Sequence, residues 1–514
     1  MKSPQSGFAS VFSGVSPRAT VLRLLLFALT GTLVLLVFTQ SASLLYAGAI
    51  SDYNCFTFIA RAWADGHVPY VDFIDNKGPL LYLIDRFGLW LLPGKAGIFI
   101  LEMMAFAATF ELLWRTGAVL GAGRRTNIVA AATAVFLYIY HIIEGNTTEE
   151  WSLPFTALAL YVAACMLAGG FRHKDSRRLA SGAAIMGVCA GLCMMLRANN
   201  AAPVVGLALG MGLTLGLNHR YGTLSVCAGA FVAGVCVAVA PFVAYFAAHG
   251  ALQQMWFATV ELNIAYMANF DPDSHSLGRM AANVMQMGGV IVLPFVAWAT
   301  DRRRGSQWCP VLAVMSTMVF FVFLTGTGWS HYYMMALPSA WLAIALAGTV
   351  SRRWLVIALA ACVIPEIALH PLAAGWYARN TWVNATVKSP ADNDRRVAEF
   401  IVSNVPEDEM DSLYMACAPG DIAAVELTGH RPVGRYFNMQ DKALTISTAA
   451  RHDIALSFAK ANPRWILSYL PLECYEGLIP AEKSAAYLRV DSMEISPFGY
   501  GFRLYRRVTS ATPR

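Results

Sequence analysis

The chain has 514 residues, 57% of them hydrophobic and 14% charged, with a mean hydropathy of +0.50. Soluble domains carry about a quarter charged residues, so this composition excludes an ordinary soluble protein and points to a polytopic α-helical membrane protein. The formal net charge of +6 does not indicate a nucleic-acid partner, because Arg and Lys cluster in short loops between apolar runs, as membrane topology requires.

Residues up to Ala19 are polar, Ser-rich and basic, and 21–47 is then nearly all apolar. That run exceeds the roughly 7–15 residues of a signal-peptide core and predicts an uncleaved first transmembrane helix. Further apolar runs lie at 96–120, 128–143, 151–167, 179–196, 201–217, 224–248, 280–300, 309–327, 332–350 and 354–373. Together they predict about eleven spans, each near the roughly 20 residues that cross a bilayer. Alternate loops carry Arg124 and Arg125, then Arg172, Lys174, Arg177 and Arg178, then Arg220, then Arg302 to Arg304, then Arg352 and Arg353. The opposite loop at 144–151 has no Lys or Arg, so the positive-inside rule predicts a cytoplasmic N-terminus and an extracytoplasmic C-terminus in a cell membrane.

Within the spans, Pro241, Pro294, Pro338 and Pro365 predict kinks, and Glu111 and Arg115 are spaced to neutralise one another on one helix face. Glu102 and Glu366 have no such local partner and are expected to be solvated near the outer ends of their helices. From about Ser389 charges, Pro and Asn return. The segment 392–405 has helical periodicity, and 412–415, 465–470 and 502–505 read as strands. The predicted domains are a cytoplasmic N-terminus 1–20, a membrane module 21–373 with its first outer loop at 50–95, a linker 374–390 and a small extracytoplasmic α/β domain 391–508. No Walker or dinucleotide-type glycine motif occurs. The ten cysteines show no CxxC spacing, and of the three expected outside, Cys417 and Cys474 could pair. Asn146 and Asn384 match the N-glycosylation sequon.

The first outer loop concentrates the candidate chemistry. At 51–78 it places Asp52, Asp65, Asp72, Asp75 and Lys77 among Tyr, Trp and Phe, immediately after an apolar run. Asp52 would lie at the membrane–water boundary, where a partly dehydrated carboxylate can take a proton from an acceptor hydroxyl; a helix-end carboxylate marking the interface is the plain alternative. Lys77 and Arg197 could compensate a leaving phosphate, or else anchor at the lipid surface. The turn after Lys77 leads into 80–94, an amphipathic aromatic stretch expected along the interface. Glu149 and Glu150 could contact an acceptor or a metal, or form a solvated acidic turn. His331, beside Tyr332, could meet phosphate or acceptor, or serve as an interfacial hydrogen-bonding residue. No His/Asp cluster has the spacing of a dedicated metal site, and dependence on a divalent metal stays open.

An Asp just after the first helix, DNKGPLLYL where KPPL is more usual, an acidic second outer loop and HYY before a late helix together resemble the GT-C class of polyprenyl-phosphate-dependent glycosyltransferases. The pattern is similar to the branch containing aminoarabinose lipid A transferases and protein O-mannosyltransferases. It covers the membrane part through about Ala373 and is strongest over 52–83. The resemblance implies a GT-C-like fold and inverting sugar transfer from a lipid phosphate to a cell-envelope glycan, lipid or protein. Asp52 is then the catalytic acid of the first loop, Lys77 the lysine at the donor phosphate, with Arg197 and His331 near it and Asp75, Glu149, Glu150 and Tyr332 in support. Two other functions fit the composition: a transporter or flippase of lipid-linked sugars, for which internal repeats and midplane charges would be the signature, and a noncatalytic scaffold binding partners through the outer domain.

Overall fold

The computed structural model describes residues 17–45, 51–142, 144–168, 176–269, 277–304, 307–325, 329–369, 390–417, 421–437, 448–475, 478–479, 481–494 and 501–508. The protein is mostly helical. In chain order the helices are α1 Pro17–Phe38, α2 Ser51–Ala64, α3 Pro79–Leu91, α4 Ala96–Val119, α5 Arg124–His141, α6 Thr148–Ala168, α7 Ser176–Leu196, α8 Ala202–Leu217 and α9 Tyr221–Ala248. They continue through α10 Leu252–Trp256, α11 Leu262–Asn269, α12 Leu277–Gln286, α13 Gly288–Arg304, α14 Trp308–Thr325, α15 Leu337–Val350 and α16 Arg352–Leu369. The helices α17 Pro390–Asn404, α18 Ile422–Glu426 and α19 Thr448–Ala461 follow in the C-terminal part.

Each predicted span falls on a helix, except that 280–300 is a pair, α12 and α13, bent by 52°. Among the described residues seven helices are long and apolar enough to cross a membrane, or eight with the bent pair taken as one span. At a rise of about 1.5 Å per residue, the 22 residues of α1 reach ~33 Å, enough for a bilayer core. Pro241, Pro294 and Pro365 do lie inside helices, whereas Pro338 sits in the first turn of α15, where a missing N–H costs nothing.

The chain forms two compact units. One comprises residues 1–39, 99–241 and 274–378, the other 40–98, 242–273 and 379–514. In the first, α7 and α9 approach so closely that a Cβ on Gly234 would stand 2.1 Å from the Ala184 carbonyl oxygen, the small-residue contact that joins helices in lipid. Charges inside this unit are neutralised in place. Arg23 of α1 grips Glu111 through both carboxylate oxygens at 2.8 Å, and Arg115 adds a 2.7 Å bond from the next turn of α4. Glu102 and Glu366, expected to be solvated, are instead buried. The Asn146 backbone N–H donates to Glu102, and His141 Nε2 stands 3.3 Å from Glu366, because α5 and the turn into α6 bring polar groups to them.

In the second unit, the segment read as a loop at 51–78 is half helix. Tyr53, Phe56, Ala60 and Trp63 line the buried side of α2, and Asp52 falls in its first turn, where a negative charge suits the helix dipole. The C-terminal part carries a four-stranded sheet of β1 Leu413–Ala416, β2 Trp465–Ser468, β3 Tyr487–Glu494 and β4 Gly501–Arg507, in the order β1-β2-β4-β3. β1 and β2 are parallel, and β4 is antiparallel to both β2 and β3. β1 and β2 are buried on both faces, so they read as plain apolar runs; β3 is almost wholly exposed, which explains why periodicity did not show it. Cys417 is buried and Cys474 exposed, and both are free thiols.

Candidate active site

Two groups of predicted residues assemble, one in each unit. In the second unit, Lys77 Nζ lies 3.7 Å from Asp52 Oδ2, with the lysine largely buried and the carboxylate still 45% exposed. A charged pair with one open carboxylate edge is what a base serving an external hydroxyl needs. The lysine is held from several sides: Nζ donates to Asn76 Oδ1 at 2.9 Å and stands 5.3 Å from the centre of the Phe56 ring.

The turn that delivers Lys77 is tied down through its backbone. Tyr70, wholly buried, donates its hydroxyl to the Lys77 carbonyl at 2.8 Å, and Asn263 Nδ2 donates to the Asn76 carbonyl at 2.8 Å. Tyr70 adopts φ +69°, a left-handed conformation uncommon for a bulky residue, held by its N–H bond to the Phe73 carbonyl at 2.8 Å and by burial of its ring. Asp75 accepts a 2.8 Å bond from the Tyr82 hydroxyl of α3. Burial, and then the Asp75 charge, hold the Tyr70 and Tyr82 phenols well above the usual range, so both remain donors. Asn76 and Asn263 were not singled out from the sequence, and Tyr70 and Tyr82 only as members of the aromatic group of the first loop, read as an interfacial belt or as faces for a sugar. Their common signal is only the dense aromatic and Asn content of 53–82, since Asn263 lies far along the chain.

In the first unit, Glu149, Arg197, His331 and Tyr332 converge. Arg197 Nη1 is 3.4 Å from Glu149 Oε1, His331 Nε2 is 4.0 Å from the other carboxylate oxygen, and the Arg197 guanidinium lies 4.5 Å over the Tyr332 ring. Glu149 is 1% exposed and Glu150 is 2% exposed, so they are not a solvated acidic turn. They open α6, where the helix dipole favours carboxylates. Glu150 accepts from the buried Tyr138 hydroxyl, and the Trp151 indole N–H donates to Asn146 Oδ1 at 2.7 Å. That bond, with Asn146 wholly buried, removes the first sequon from the surface; Asn384 lies outside the described residues. Among the described residues no group of three or more His, Cys, Asp or Glu side chains is arranged to hold a metal ion.

The second unit also contains a cavity of about 1020 Å³, bordered by His67 and Asp72 of the first loop and by Arg431, Arg435, Asp453 and Lys460.

No protein-family model and no curated protein matches the sequence. The fold does match solved structures. ArnT from Cupriavidus metallidurans bound to undecaprenyl phosphate aligns over 97% of this chain and 100% of that one, at 13% identity and a TM-score of 0.54. The apo state of the same protein gives 13% identity and 0.54 over 97% and 99%. AglB oligosaccharyltransferase from Archaeoglobus fulgidus, in complex with an inhibitory peptide and a dolichol-phosphate, aligns over 99% and 75% at 14% identity and a TM-score of 0.48. The chain is therefore a multi-pass membrane protein with the GT-C fold. The particular structure it resembles over nearly the whole length of both chains is ArnT, and at this identity the likeness is one of fold.

Proposed function

We propose that this protein is an integral-membrane glycosyltransferase that moves a sugar from a polyprenyl-phosphate donor to a hydroxyl of a cell-envelope acceptor on the outer face. The observation that carries this is the Asp52–Lys77 pair at 3.7 Å, a carboxylate with an open edge beside an immobilised ammonium. The reaction balances on these groups. Asp52 takes the acceptor proton, the freed oxygen attacks the anomeric carbon, and the carbon–oxygen bond to phosphate breaks with inversion. The bond's electron pair leaves on the phosphate, whose charge Lys77 offsets. Arg197, stacked on Tyr332 and beside Glu149 and His331 in the first unit, is proposed as a phosphate-binding cation of that cluster, with Glu149 fixing its direction. Asp75 and Glu150 support, through Tyr82 and Tyr138 respectively.

The fold likeness to a protein solved with undecaprenyl phosphate supports the donor class, and the polar lining of the 1020 Å³ cavity suits a hydroxyl-bearing acceptor. Purified protein given a polyprenyl-phosphate sugar is expected to release free polyprenyl phosphate, and Asp52→Asn is expected to slow that release by about 10²- to 10⁴-fold. Lipid translocation in proteoliposomes without sugar transfer would instead make the protein a flippase. Assaying the same turnover after chelation decides whether a divalent metal takes part.

A further inference from the structure

The C-terminal α/β part does more than border a cavity. It grips both segments that supply the Asp52–Lys77 pair, within one compact unit. On the helix side, Arg61 of α2 forms a two-point ion pair with Glu426 at the end of α18, its Nε donating to Oε1 at 2.8 Å and its Nη2 meeting Oε2. One face of α2 also packs Phe58 edge-on against Phe437, with ring centres 5.0 Å apart and both rings wholly buried. On the loop side, the Ile74 N–H donates to the Arg435 carbonyl at 2.9 Å, three residues before Lys77, and Phe73 reaches the same Phe437 ring at 6.2 Å. Arg431 pairs with Asp65 just past the end of α2.

Asp52 and Lys77 are thus carried on two arms that meet a common body at Glu426, Arg435 and Phe437. A planar guanidinium clasped through both carboxylate oxygens fixes orientation as well as distance. A rigid helix passes that orientation to its far end: Asp52 lies nine residues before Arg61, about 14 Å along the axis. We infer that Glu426 is a positioning residue, setting through Arg61 and the body of α2 where the Asp52 carboxylate stands relative to Lys77. This rests on the transferase reading above for its kinetic consequence, and on geometry alone for the mechanical one.

Glu426→Gln keeps the size of the side chain and leaves a half-exposed Arg61 that water can solvate, so the fold should survive. The Ile74–Arg435 bond still holds the Lys77 arm. The expected result in the full-length protein is therefore a kcat lower by about tenfold to a hundredfold with the donor KM unchanged. The charge swap of Arg61→Glu combined with Glu426→Arg is expected to recover much of the loss, which ties the effect to the ion pair, while the unchanged donor KM separates it from general unfolding. Hydrogen exchange at amides 53–60 reads the same effect without turnover and should speed up in Glu426→Gln. Equal kcat and equal exchange in wild type and Glu426→Gln would overturn the proposal, as would a fall in kcat that the swap leaves uncorrected. A wild type that consumes no donor while α2 exchange still rises would sink the transferase reading and leave the positioning role standing.

Discussion

At Asp52 and Lys77 the proposed reaction rests on one charge each. Asp52→Asn preserves shape but cannot accept a proton, and turnover is expected to fall by about 10²- to 10⁴-fold, the range for losing a general base. Lys77→Met keeps an apolar stem of similar length while removing the charge that stands over the Phe56 ring. We expect a loss of about 10²- to 10³-fold, appearing mainly in kcat if the ammonium meets the phosphate as it leaves. Comparing single-turnover rates with donor binding separates the two roles. Neither partner shows from the sequence alone which neighbour it meets. That both were singled out there reflects the rarity of ionisable groups beside a long apolar run.

Asp394 in α17 makes a separate case for reading a carboxyl by its surroundings. Burial, and then the nearby Asp421 charge, push it up from 3.8 to about 7. Between those values the folded protein keeps a proton that the unfolded chain has released. Its contribution to stability is therefore full below pH 4, declines as pH rises to about 7 and is lost above it. The melting temperature of the protein should drop between pH 5 and 7.5 by more than in Asp394→Asn, which has no proton to lose. An equal drop in both would show that Asp394 does not titrate in this window.

Among the elements, the corner between α3 and α4 is a close backbone approach. A Cβ on Gly97 would stand 1.8 Å from the Gly88 carbonyl oxygen, and one on Gly88 2.7 Å from Ile98 Cγ1. Backbone occupies the first of these positions, so nothing flexible can move aside. Gly97→Ala is expected to destabilise by about 1–3 kcal/mol or more, seen as a lower thermal midpoint in detergent. α2 is the element that sequence patterning missed. Its polar residues recur too often for an apolar stripe to stand out, and its helical state is secured by partners remote in the chain, Glu426 and Phe437. α3 was legible, because Gly78 and Pro79 mark its start and the stretch that follows is amphipathic and aromatic. In the sheet, β1, β2 and β4 were legible as strands, whereas β3, exposed along most of its length, pairs with β4 at the end of the sheet.

For the molecule as a whole, the alternation of basic loops predicts that the C-terminal part lies on the outer face. Cys474, an exposed free thiol of that part, offers a direct test. A membrane-impermeant maleimide should label it in intact cells of the expression host; labelling only after permeabilisation would reverse the orientation and put Asp52 on the wrong side for an outer-face acceptor. The sequence by itself determined the membrane class and where the apolar helices lie along the chain, and it predicts the side of each loop. Those properties come from transfer of apolar side chains out of water and from loop charge, and both are local sums along the chain. Only the tertiary structure decided that Lys77 returns to Asp52, that Arg197, Glu149 and His331 share one buried cluster, and that the C-terminal part clasps α2. Each of these joins residues whose separation in sequence bears no relation to their distance in space, and the packing that closes that distance is cooperative, so no single segment encodes it.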